Sequence, residues 1–168
     1  MSWLKAFFAG MVGAVLMTVM LSVAIASGFR VLDFSMMWGT LVGLPKGWEA
    51  WIVGFVIHLL VGGVFALGYA VLFKAFSGAG LLRGGLVGIV HAIITGIILP
   101  LLPLIHPLMN NGHMQSPAPY FSGHGMAGVL FYFAMHIVYG STVGWLYLRL
   151  TPAAAEPLAE SGNLRIAA

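Results

Sequence analysis

Residues 136–147, HIVYGSTVGWLY, and residues 58–69, HLLVGGVFALGY, share one plan: a histidine, a small residue four and eight positions on, and a tyrosine at eleven. Aligning His58 with His136 also pairs Phe55 with Phe133, Gly62 with Gly140, Ala66 with Gly144 and Tyr69 with Tyr147. On a helix turning about 100° per residue, these offsets fall within roughly 80° of one another, so all four side chains share one face. Small residues spaced by four let helix backbones approach closely. Gly62, Ala66, Gly140 and Gly144 are therefore expected to form a packing seam. The tyrosine near the end of each stripe reads as an anchor with its hydroxyl in the headgroup region, followed by Lys74 and Arg149 as further anchors.

The composition says which solvent this seam meets. Of 168 residues, 61% are hydrophobic and 7% charged, and the mean hydropathy is +1.03. A water-soluble domain of this size does not tolerate that balance, so the chain reads as an integral membrane protein whose first partner is the lipid bilayer. Four stretches reach the roughly 20 apolar residues that a spanning helix needs: 3–27, 51–73, 82–104 and 127–150. Residues 1–150 thus form one four-helix transmembrane domain, and 151–168, with Pro152 and Pro157, a flexible cytoplasmic tail. The first stretch, with Lys5 ahead of it and AIAS at 24–27, mimics a signal peptide, but its apolar run exceeds the usual ~7–15 residues and is expected to be retained. Lys5, Lys74, Arg83, Arg149 and Arg165 against Arg30 and Lys46 predict both termini on the cytoplasmic side. There is no cysteine, and the basic residues form no block that would bind nucleic acid.

The first and third spans also agree, through Gly10 and Gly13 against Gly85 and Gly88. The expected fold is an all-α antiparallel bundle of four transmembrane helices, built from two repeated hairpins related by a pseudo-two-fold axis along the membrane normal. The loop at 28–51 adds a short interfacial or re-entrant helix. Asp33 is placed to cap it, it runs from Phe34 to about Val42, and Gly43 and Pro45 end it. Trp38, Trp48 and Trp51 are expected at headgroup level.

Ionisable groups inside a membrane are costly and mark candidate sites. His58 and His136 lie at matched depth, roughly 10–14 Å below the outer interface, and His91 lies somewhat deeper. Two such histidines can ligate one haem b or a metal ion, or remain neutral and bond to neighbours such as Thr18, Thr95, Ser141 or a backbone carbonyl. A second candidate is the outer loop 103–126, where His106, His113, His124, Met109, Met114 and Met126 offer imidazole and thioether ligands suited to copper. Nucleophile elbows, phosphate loops, HExxH motifs and in-span carboxylate pairs are missing, so no catalytic residue is expected.

The glycine-rich first helix (Gly10, Gly13, Met17, Thr18), LDFSMMWGTLVGLP at 32–45, the two histidine stripes and the His91 helix together resemble a bacterial family of small four-span membrane proteins known only as a domain of unknown function. The resemblance covers roughly residues 5 to 150. It implies an inner-membrane four-helix protein and brings no activity. The expected role is that of a non-enzymatic membrane protein, packing in a larger membrane complex or self-associating. The alternatives are a haem- or copper-binding protein and a small-solute or proton channel.

Overall fold

The computed structural model describes residues 1–29, 31–76 and 78–151. The expected tail, and the charges Arg30 and Arg165, lie outside the described residues. Six helices follow in chain order: α1 (Trp3–Ala26), α2 (Phe34–Leu41), α3 (Trp48–Ala75), α4 (Leu81–Ile98), α5 (Pro107–Asn110) and α6 (Gly125–Leu150). α4 runs on as a tighter 3-10 turn over Leu99–Leu104, where Pro100 and Pro103 interrupt the α-helical ladder. A second 3-10 segment, Pro119–His124, leads into α6. Four of these elements, counting the 3-10 extensions, are long and apolar enough to cross a membrane. At about 1.5 Å per residue, the 28-residue α3 is roughly 42 Å long, more than a ~30 Å hydrocarbon core requires, so it would cross with a tilt.

Glycine decides which helices touch. A Cβ on Gly140 would collide with the carbonyl of Gly84, and one on Gly144 with the carbonyl of Gly80, so α4 and α6 lie backbone against backbone. Gly10 faces the carbonyl of Gly62 and the methyl of Ala66, which closes α1 on α3 in the same manner. All four seam residues thus face a neighbouring helix. α6 also meets α1, where Gly13 receives the ring of Tyr139. α3 and α4 hardly touch, and the bundle is open along that side.

The short α2 is capped as its sequence suggests. Asp33 accepts the amide of Met36 at 3.0 Å, and Gly43, at φ +91, turns the chain so that its amide reaches the Thr40 carbonyl. α2 is not a loose surface helix: Gly39 lies on the Ala50 carbonyl and Gly54 on the Ser35 carbonyl, so it is bedded on the first turns of α3. His106, fully buried, fastens the start of α5 to α2, its Nε2–H reaching the Met37 carbonyl at 3.1 Å.

Two anchors depart from expectation. Tyr69 does not reach outward; it is buried, because His91 on the facing helix offers its hydroxyl a partner. Trp38 turns inward to the α3/α4 gap, while Trp48 stays 72% exposed. Tyr147 does sit at a bundle end, where its hydroxyl accepts the Ser2 amide at 3.2 Å and Lys5 donates to the Leu150 carbonyl.

The two kinds of glycine should separate under mutation. Gly140→Ala puts a methyl into the backbone of α4 and should cost about 1–3 kcal/mol of stability in a detergent unfolding titration. Gly68, with nothing within 4 Å of a Cβ, should tolerate Gly68→Ala with no loss.

Candidate functional site

The open side of the bundle leads into a cavity of about 220 Å³. Its polar lining is three imidazoles and three hydroxyls, His58 from α3, His91 and Thr95 from α4, and Tyr132, His136 and Tyr139 from α6, with the indole of Trp38 from α2. The rest is apolar, with Val61, Phe65 and Ile98 on the α3 and α4 flanks and Phe34 and Leu102 toward the α2 end. Phe65 and Ile98 are 43% and 51% exposed, so the aperture between α3 and α4 faces sideways out of the bundle and has an apolar rim. No carboxylate lines it.

Each ring is held from behind. Thr18 donates its single hydroxyl proton to the Ala14 carbonyl at 3.0 Å, so at 3.0 Å from His58 Nδ1 the same oxygen acts as acceptor. With the threonine proton on that carbonyl, His58 carries its own proton on Nδ1, and Phe34 packs at 5.6 Å against its ring. His136 Nδ1 faces the carbonyl of Tyr132 at 2.8 Å, and a carbonyl only accepts, so this nitrogen also carries the proton. Its Nε2 lies 3.3 Å from Thr95 Oγ1. Thr95 is shared in turn: it reaches the His91 carbonyl at 2.8 Å and the Tyr132 hydroxyl at 2.6 Å. His91 Nδ1 is 3.1 Å from the Tyr69 hydroxyl, and that hydroxyl has no other hydrogen-bond partner among the described residues. The phenol therefore donates, and His91 carries its own proton on Nε2. The third phenol, Tyr139, spans the bundle and donates to the Gly62 carbonyl.

Thr18 and Thr95 are two of the partners the sequence offered the histidines, and they make those bonds. His58 and His136 do line one space, each bonded to its own neighbours, and His91 completes the group with its ring 5.0 Å from that of His136. Sequence reasoning passed over Tyr132 and Tyr139. Their signal was present, since Tyr132, His136 and Tyr139 recur at i, i+4 and i+7 on α6.

The outer-loop ligands are not gathered. His106 is buried against α2 and Met109 is buried nearby, whereas His113 is exposed and Met126 is 71% exposed. Met114 and His124 alone share a hollow, an open one with Asp33 and Met36. Among the described residues, no group of three or more His, Asp or Glu could hold a metal ion.

Thr18→Val, which keeps the shape and removes the acceptor, should strand His58 Nδ1–H and cost about 1–3 kcal/mol of stability. Nitrogen-15 NMR of histidine-labelled protein should show the Nδ1–H tautomer at His58 in the parent and a mixture in the variant. An Nε2–H parent would contradict the proton assignment.

Compared with protein-family models, with curated proteins and with solved structures, the chain matches none.

Proposed function

We propose that the chain is a non-enzymatic, multi-pass protein of the bacterial inner membrane that draws a small lipid-soluble molecule from the bilayer into the cavity between α3 and α4, alone or as an accessory subunit of a larger membrane assembly. The carrying observation is the sideways aperture: an apolar rim over a pocket whose floor is polar. Polar groups inside hydrocarbon are costly unless partnered, and a convergent set of them in an apolar pocket is the usual form of a binding site. A lateral opening favours a molecule dissolved in lipid over a solute or proton crossing from face to face.

Membership of the four-span bacterial family, termini on the cytoplasmic side, an interfacial position for α2 and a duplicated hairpin belong to the same reading. The duplication supplies a reason for the cavity. Under the alignment of His58 with His136, Val61 corresponds to Tyr139. On the α1/α6 side Tyr139 fills the space against Gly13 and reaches the Gly62 carbonyl; on the α3/α4 side Val61 lines the void. One repeat keeps the plug and the other lacks it.

Haem b and copper have less behind them. A cavity near 150 Å³ takes one benzene ring, so about 220 Å³ takes one substituted ring and not a macrocycle. Of the six copper candidates, only Met114 and His124 share a hollow.

A lipid-soluble alkyl-phenyl diazirine, photolysed in membranes and mapped by mass spectrometry, should mark Val61, Phe65, Thr95 and Ile98 above the outward faces of the spans. Val61→Tyr, which restores the plug, should lower that marking at least fivefold. Marking spread evenly over all outward faces would end the proposal.

A further inference from the structure

Resting on the reading that the cavity holds a lipid-soluble ring, we propose that this ring carries a hydroxyl, as in a phenol or quinol, whose O–H donates to Nε2 of His58.

The inference follows from counting protons. His58 stands between Thr18 and the cavity: Thr18 does not line the space, His58 does, and the bond at 3.0 Å occupies Nδ1. The edge carrying Nε2 therefore faces the cavity, with a lone pair and no hydrogen-bond partner among the described residues. His91 is oriented by the same logic. Tyr69 lies behind it at 3.1 Å on Nδ1 and does not line the space, which turns Nε2–H inward. The cavity thus presents one imidazole acceptor and one imidazole donor.

The remaining polar groups do not cancel these two. Tyr139 has given its proton to the Gly62 carbonyl. Tyr132 shares its own between the Ala92 carbonyl at 3.1 Å and Thr95 at 2.6 Å. Thr95 has one proton for the His91 carbonyl, the Tyr132 hydroxyl and His136 Nε2. None of these groups is hydrogen-bonded to His58 Nε2 among the described residues, and neither is the indole N–H of Trp38, which also lines the space, so what His58 lacks is a donor. An imidazolium would supply one, but with no carboxylate lining the space it would be a buried, unpaired charge.

The ligand must therefore bring an O–H of its own, on a body that dissolves in lipid and fits about 220 Å³. A ketone or an ether offers only acceptors and leaves His58 Nε2 unpaired. An aliphatic alcohol has the group without the shape: Phe34, Phe65, Tyr132 and Tyr139 present aromatic surfaces, and a flat ring meets them edge or face on. An alkyl chain on the ring can leave between Phe65 and Ile98 into the bilayer.

The test uses the full chain in phospholipid nanodiscs with tritiated 4-butylphenol as the probe and unlabelled 4-butylphenol, 4-butylanisole and butylbenzene as competitors. The expected result is retention above empty nanodiscs, with the ether and the hydrocarbon each at least tenfold weaker competitors than the phenol, as loss of one buried hydrogen bond implies. His58→Leu should erase that difference while the label is still retained. As a check that needs no variant, the nitrogen-15 resonance of His58 Nε2 should move with the phenol and stay put with the anisole. Equal competition by phenol, ether and hydrocarbon, or a His58 resonance that ignores the phenol, would overturn the hydroxyl inference and leave the cavity reading intact. No retention by either the parent chain or His58→Leu would overturn both.

Discussion

Everything in this bundle depends on how close two helix backbones can come when the surrounding solvent is as apolar as their side chains. Without water to expel, helix association in a membrane rests on van der Waals contact and on hydrogen bonds between helices. Gly10 against Gly62, and Gly84 and Gly88 against Gly140, allow that contact because nothing stands between the chains. Two tight pairs result, α1 with α3 and α4 with α6, and α6 reaches α1 through Tyr139 in the notch at Gly13. The pair left over, α3 and α4, has no glycine contact between its helices, and the space between them is the cavity.

Polar bonds take over where glycine contact stops. Thr18 to His58 ties α1 to α3, Tyr69 to His91 ties α3 to α4, and Thr95 to His136 ties α4 to α6. Each joins neighbours around the ring, and the middle one bridges the open side. Interhelical bonds in membranes are worth on the order of 0.6 kcal/mol on average, so none of these alone holds the fold. What they do reliably is orient. An imidazole bonded at Nδ1 has its other nitrogen fixed in direction, and three rings so fixed turn a gap into a surface with defined donors and acceptors.

Much of this was legible in the residues because its causes are local. Hydropathy located the four long helices, and Asp33 and Gly43 marked the ends of α2. The small-residue stripe named its own partners in kind, since only another backbone fits against glycine. Two histidine partners were legible as well, since Thr18 and Thr95 are among the hydroxyls inside the spans and bond His58 and His136. The inward turn of Tyr69 was not legible, because an outward anchor and an inward donor have the same spacing and differ only in what the facing helix presents. Nor was the cavity, which arises from an inequality between two interfaces. A pattern of pairwise similarity draws the eye from the positions that differ, Val61 against Tyr139 among them.

That failure carries an energetic consequence. At about 24 cal/mol per Å³, an empty void of about 220 Å³ would cost up to roughly 5 kcal/mol, an upper bound here because the space opens to the outside and can be filled. A lipid chain would recover the dispersion energy along Val61, Phe65 and Ile98, yet it leaves the inward nitrogens of His58 and His91 unpaired, at about 1–3 kcal/mol each. A water would pair the nitrogens and leave the apolar walls without contact. The two demands are met together by a molecule with an apolar body and a hydroxyl, and the walls that make them are lined from α1, α2, α3, α4 and α6. No single helix makes both demands; the gap between α3 and α4 does.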